Sequence, residues 1–509
     1  MKQGKVWLVG AGPSDVGLLT IKAKETIEQA DVVVYDSLVG DAILGLIPRS
    51  AKLIYVGKRA GNAAMSQENI NKVLLSEAIN GNKVVRLKGG DPFLFGRGGE
   101  ELELLVDNGV PFEIIPGVTS AVSVPAYAGI PVTHRDFCSS VHIITGHKKD
   151  SDKPEIDFPS LVKLDGTLIF LMGVGSLSYI CSSLMEAGMD RDMPAAILEQ
   201  GTTAAQRRVV SVLEKLPQDA KDANIQTPAI IVVGKVCSLS ERFHWAEDRP
   251  LGGVRIIVTR PQELASSLSK RLKENGAEVI ELPSIATAAI DDNTDIVSMI
   301  ANLKRYKWIV FTSPVGVHTF FQKLVYHQVD IRTLSGIKFA AIGSATAKAI
   351  NEKGIPVDCT PKSYHSAALG QALADVVKDK EKVLIPRARI GTKALTDILD
   401  SNDIEYDDIP IYDTTYVRHP VLQAKELVDA NKTDYVAFTS ASSVKGFVNA
   451  VGDEDLSHLH AVCIGEQTAA EAKKYGMKID LADIITINGI IDKIIQLEAE
   501  KRSAAKAGA

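Results

Sequence analysis

The sequence predicts an α/β protein in two parts: an N-terminal α/β region of two subdomains, then a bilobed, internally duplicated α/β domain. Three observations predict it. Short apolar runs alternate with helical periodicity from residue 5 onward, the pattern of a mainly parallel sheet. Residues 83–100, KVVRLKGGDPFLFGRGGE, read as a strand, a glycine-rich loop and the start of a helix. Beyond residue 254 the chain repeats itself.

At 509 residues the chain suggests two to four domains. Its 45% hydrophobic and 24% charged residues fit a water-soluble globular protein. The net charge of −6 gives no general attraction to nucleic acid or anionic membrane. Cys138, Cys181, Cys237, Cys359 and Cys463 show no paired spacing, which fits a reducing cytoplasm and argues against zinc or a disulfide framework. No signal-like or membrane-spanning apolar run is visible, so a cytoplasmic protein without metal is expected.

In order, residues 5–9 form a strand followed by Gly10-Ala-Gly-Pro-Ser-Asp15. A dinucleotide fingerprint would need glycine where Asp15 stands, and a carboxylate there would repel a pyrophosphate, so the turn is assigned to a different small ligand. Strands at 31–35 and 53–56 end in Asp36 and in Gly57-Lys58-Arg59. A helix at 67–79 precedes the glycine-rich stretch. Strand 112–115 closes on Pro116-Gly-Val-Thr-Ser120, and strand 141–145 follows Thr133-His-Arg135. The polar run 148–159 is the expected hinge to a second subdomain, with strands at 167–172, 195–198 and 229–233.

The main boundary falls in the charged, glycine-ended segment 241–253. The assignment is 1–245 for the first domain, 246–253 for the linker, 254–500 for the second domain and 501–509 for a flexible tail. Within the second domain, 308–320 echoes 435–447, 339–347 echoes 461–469, and 256–260 aligns with 383–387. That is domain duplication, with lobes at 254–286 plus 414–500 and at 287–413.

The strand-end loops of the first half gather Pro13, Asp36, Lys58, Gly89, Gly90, Asp91, Thr119, Ser120 and Arg135. They hold no nucleophile with a histidine partner and no metal-ligand spacing. Backbone groups, a carboxylate and a lysine suit the orientation of an already activated reagent, worth up to ~7–11 kcal/mol of barrier. Lys58, Arg59, Arg86, Lys88, Arg97 and Arg135 are each readable as a solvated rim, and jointly as an attraction for a polyanion. In the second half Thr312, Ser313, Ser344, Ser440 and Thr468 lie where helices begin, as caps or as anion sites. Arg387 adds charge, and Tyr412 is either a core tyrosine or a proton donor.

The motifs VGAGPSD, VVYDSLV, VGKRAG, VRLKGGDPFLFGRGGEE, PGVTSA, GIPVTHRD and EQGTT make the first half resemble uroporphyrinogen-III C-methyltransferase. That resemblance implies a tetrapyrrole-methylase fold, a homodimer through this half, and two methyl transfers from S-adenosylmethionine to uroporphyrinogen III, giving precorrin-2. It implies cofactor contacts at Pro13, Gly89, Gly90, Asp91, Leu94, Thr119, Ser120, Met172 and Gly201, with Asp36 as proton acceptor and Lys58 as proton donor. Ser14 stands where that family shows glycine. From residue 254 the FTS and IGxxTA pairs, IPRA and IPIYDT resemble uroporphyrinogen-III synthase. This second resemblance implies closure of hydroxymethylbilane with inversion of its last ring, assisted by Tyr412. Arg135, Thr312, Ser313, Ser344, Arg387, Ser440 and Thr468 are then the expected substrate contacts. The competing expectations are a methyltransferase acting on another corrin intermediate, and a bilobed half that only senses a ligand.

Overall fold

The computed structural model describes residues 4–57, 65–146, 156–259, 262–417, 424–428 and 432–507. The chain divides into two compact units. One comprises Met1–Leu282, Arg418–Val444 and Val451–Ala509; the other comprises Pro283–Val417 and Lys445–Ala450.

In the first sheet β1 (Lys5–Gly10), β2 (Val32–Tyr35), β3 (Lys52–Tyr55), β4 (Lys83–Lys88) and β5 (Phe112–Ile115) run parallel in the order β3-β2-β4-β1-β5. Val6, Leu8, Val32, Val34 and Val84 bury one face against Ile70, Leu74, Leu102 and Leu105 of the helices Gln67–Ile79 and Gly98–Asp107. Strand order reverses between β1 and β4, and open parallel sheets bind ligands beyond the carboxyl ends at such a point. Two bonds tie the loops together there: Gly12 N donates to Gly90 O at 3.1 Å, and Gly90 N to Gly12 O at 2.7 Å.

The second sheet joins β6 (Val141–Thr145), β7 (Thr167–Leu171), β8 (Pro194–Glu199), β9 (Arg207–Val212) and β10 (Ala229–Val233) in the order β6-β7-β10-β8-β9. Only β6 and β7 are parallel. This corrects the hinge expected at 148–159. The chain changes sheets earlier, after the helix Ser120–Tyr127, because β6 already pairs with β7. Alternating apolar residues mark a strand but carry no information about which sheet it joins.

The duplicated half carries β11 (Arg255–Val258), β12 (Glu278–Glu281), β13 (Ile285–Ala289), β14 (Trp308–Phe311), β15 (Lys338–Ala341), β16 (Val383–Ala388), β17 (Tyr406–Tyr416), β18 (Tyr435–Phe438), β19 (His460–Cys463) and β20 (Lys478–Leu481). Its two sheets read β12-β11-β18-β19-β20 and β13-β17-β16-β14-β15. The sequence pairings map β11 on β16, β18 on β14 and β19 on β15, so both sheets share one four-strand order. The first of these sheets lies in the same compact unit as the N-terminal half, and the second forms the other unit.

Helical backbone runs into the tail expected at 501–509, as far as Ala507. A single helix, Ile487–Ala507, buries Ile490, Ile491 and Ile494. Tyr435 Oη donates to Glu498 at 2.7 Å, and Arg502 Nη2 donates to Gly252 O at 2.8 Å. These contacts hold the helix as far as Arg502, while residues 503–507 are exposed. No helix among the described residues is long and apolar enough to cross a membrane.

Candidate active sites

The glycine turn after β4 is side-chain-poor for two separate reasons. A Cβ on Gly89 would stand 2.7 Å from Leu38 Cβ, whereas Gly90 has φ +67° with nothing within 4 Å of its Cβ position. Gly89 thus lets the Asp36 turn approach, and Gly90 supplies a backbone shape that side chains resist. Asp91 fixes the turn. Its Oδ1 accepts from Phe93 N at 2.8 Å and Leu94 N at 3.2 Å, and its Oδ2 from Gly117 N at 3.0 Å. The carboxylate therefore works as a brace between two strand-end loops.

Further groups line up on the same edge. Thr119 caps the helix Ser120–Tyr127 by accepting from Ala121 N. Gly201 has no room for a side chain, since a Cβ would come within 2.2 Å of Val124. Ser14, Met172, Gln200 and Thr202 are non-glycine residues at φ 106°, 57°, 45° and 69°. Strained backbone gathered in this way is a mark of functional sites. Met172 is 53% exposed, and half-buried Leu94 packs against the cluster that contains Leu171.

Asp36 ends β2. Its Oδ2 accepts from Arg86 Nη2 at 3.0 Å and its Oδ1 from Leu38 N at 3.1 Å, which aims the carboxylate while leaving it partly exposed. Arg86 and Lys88 are not part of a solvated rim, a correction to that expectation. Both are buried, and both bond Glu101 Oε1, at 3.2 Å and 2.8 Å. Burial first, and then the Arg86 charge, push the Lys88 ammonium pKa down. Glu101 Oε2 has no hydrogen-bond partner among the described residues. Removing one partner from so buried a charge cluster costs about 3–5 kcal/mol. Arg135 is exposed, whereas Arg97 pairs with Glu100. Lys58, Arg59 and Arg260 lie outside the described residues.

In the second unit Tyr412 of β17 is buried, and its Oη lies 2.8 Å from Ser313 Oγ. Burial raises the phenol pKa, and the Ser313 hydrogen bond offsets part of that rise. Ser313 also caps the helix Pro314–Tyr326 by accepting from Gly316 N at 3.0 Å. Thr312 is half-buried, and Ser344 opens the helix Ser344–Asn351 at the surface. Arg387 is engaged internally. It forms a two-pronged pair with Asp408 at 2.8 and 2.6 Å and donates to Thr392 O at 2.9 Å. Its neighbour Arg389 reaches the surface, 55% exposed, beside Asp413. Ser440 and Thr468 belong to the first unit; Ser440 bonds Ser442 and Ser443, and Thr468 is 4% exposed.

Residues 5–217 match the family model for tetrapyrrole (corrin/porphyrin) methylases, and residues 266–492 the model for uroporphyrinogen-III synthase HemD. The chain is 47% identical over 497 residues to the porphyrin biosynthesis protein HemD of Ruminiclostridium josui, spanning 98% of this chain and 99% of that one. The chain belongs to this porphyrin-biosynthesis family. It is a bifunctional tetrapyrrole enzyme carrying a uroporphyrinogen-III C-methyltransferase domain and a uroporphyrinogen-III synthase domain. It is also 39% identical over 358 residues to the uroporphyrinogen-III C-methyltransferase of Bacillus subtilis, covering 70% of this chain and 73% of that one. Among solved structures it is similar to uroporphyrin-III C-methyl transferase from Thermus thermophilus complexed with S-adenyl homocysteine, at 38% identity and TM-score 0.40, covering 46% of this chain and 99% of that one.

Proposed function

We propose that the chain closes hydroxymethylbilane to uroporphyrinogen III with inversion of the last ring, and then methylates that product twice to give precorrin-2. The carrying observation is the meeting of the Gly12, Gly89–Gly90 and Asp36 turns at the strand-order reversal, on a chain that aligns over 98% of its length with a porphyrin-biosynthesis relative.

The residues present fit S-adenosylmethionine as methyl donor. Pro13, Gly89, Gly90, Asp91, Leu94, Thr119, Ser120, Met172 and Gly201 would hold it, offering open backbone and apolar contact without a phosphate grip. When bound, it supplies an electrophilic methyl group on a sulfonium. Asp36 takes the pyrrole N–H proton, so that the ring carbon gains electron density where the new bond forms. Arg86 aims that carboxylate. Lys58 is assigned to return a proton, and Arg135 to meet substrate carboxylates.

In the synthase half, Tyr412 donates a proton to the departing hydroxyl, which leaves as water. Thr312, Ser313, Ser344, Ser440 and Thr468 are assigned to the propionate and acetate arms, with backbone N–H groups at helix starts. Arg387 is assigned there too, acting through the loop it braces, and Arg389 adds an exposed cation paired with Asp413. A homodimer through residues 1–245 belongs to the same reading, as does a cytoplasmic setting without nucleic acid, membrane or metal.

Two assays test this. Uroporphyrinogen III with methyl-labelled donor is expected to take up two labels per macrocycle, and no label would reject the methyl-transfer reading. Hydroxymethylbilane alone is expected to yield the type III isomer, whereas type I only would reject the synthase reading.

A further inference from the structure

The loop at residues 200–206 is fastened on both sides. Within the N-terminal half, Thr202 Oγ1 donates to Pro13 O at 2.7 Å, and Thr202 N donates to Gln206 Oε1 at 2.8 Å. On the other side, Ala204 N donates to Glu278 Oε2 at 2.7 Å. Glu278 opens β12, the first-lobe edge strand of the synthase half. Its other oxygen accepts from Arg255 Nη2 at 2.9 Å. Arg255 lies 3.9 Å from Asp41, which starts the short helix Asp41–Leu44 just after the Asp36 turn. One carboxylate in the synthase half thus links to the loop carrying Gly201 and, through Arg255, to the segment following Asp36.

We propose that Glu278 is a positioning residue for the methyl-donor site, so that the first synthase lobe completes the methyltransferase. The inference rests on the reading of the Pro13 and Gly201 loops as the donor site. Gln200 and Thr202 sit in left-handed backbone, at φ 45° and 69°, a shape that persists only where surroundings impose it. A carboxylate accepting a backbone N–H makes a stronger restraint than a neutral acceptor. A cavity of about 550 Å³, lined in part by Asp15, Tyr127, Thr202, Ala204, Arg249 and Glu278, lies beside the bond. The loop therefore has room to leave its place once Glu278 releases it. Glu278 acts through Ala204 and contacts neither donor nor macrocycle.

The test is calorimetric titration of the full chain with S-adenosylhomocysteine, with hydroxymethylbilane closure as an independent gauge of folding. Glu278→Ala is expected to weaken binding about tenfold and raise the donor KM, with kcat for methyl transfer held within about twofold. Closure should be unchanged. Glu278→Gln, which keeps an acceptor oxygen, should recover most of the affinity. Undiminished binding by Glu278→Ala would overturn the proposal. So would a joint loss of binding and closure that Glu278→Gln fails to repair, since that marks a merely structural role. A wild-type chain that binds no S-adenosylhomocysteine would instead remove the donor-site reading beneath it.

Discussion

Tyr412 Oη and Ser313 Oγ stand 2.8 Å apart, and the same serine oxygen accepts the Gly316 N–H at 3.0 Å. The phenol is therefore held by a group that is itself locked to a helix start. An ordinary phenol is already protonated at neutral pH; burial raises this one further, and the Ser313 hydrogen bond offsets part of that rise. Tyr412→Phe is expected to lower the closure rate about tenfold without abolishing it, because orientation of the substrate carries most of the barrier. Ser313→Ala should cost less, and the double variant should fall short of the sum of the two losses. Initial rates of type III isomer formation check all three.

Asp36 is aimed by Arg86 and by the Leu38 N–H, while the Gly12 and Gly90 turns are joined by their own backbone bonds. Asp36→Asn is expected to bind S-adenosylhomocysteine as the wild type does, yet to lose at least about 100-fold in methyl transfer. Near-normal turnover would reject Asp36 as the proton acceptor.

Ser14 holds φ 106°, a left-handed shape that a side chain resists. Ser14→Gly should raise stability by about 1 kcal/mol, read as a higher urea midpoint at unchanged slope. A lower midpoint would show that the serine makes a compensating contact.

Hydrogen bonds from Lys22 and Lys5 hold the Glu113 carboxyl down at about 2, from an ordinary 4.5. A depressed carboxylate stabilises the fold above its unfolded value, and that contribution is lost as pH falls through the folded one. The wild type should therefore lose stability between about pH 4.5 and 2 more steeply than Glu113→Gln does. Chemical unfolding across that window measures the difference.

Much of this was legible in the chain. Strands and the loops at their ends follow from apolar runs that stop at glycine or proline, and the duplication follows from two self-similar segments whose strands fall into one order in both sheets. What escaped reading depends on partners distant in sequence. Arg86 and Lys88 look like surface charges until Glu101, one helical turn into the next element, comes underneath them. The C-terminal helix is anchored by Tyr435 and by the carbonyl of Gly252, 63 and 250 residues away from their partners. Asp91 reads as a ligand group, although its oxygens serve three backbone N–H groups.

One measurement bears most directly on the central claim that one chain both builds and methylates the macrocycle. The full-length protein is supplied with hydroxymethylbilane and methyl-labelled S-adenosylmethionine, and the tetrapyrrole is resolved by isomer and mass. The expected product is a type III framework carrying two labelled methyl groups. An unlabelled type I macrocycle as the sole product would contradict the claim.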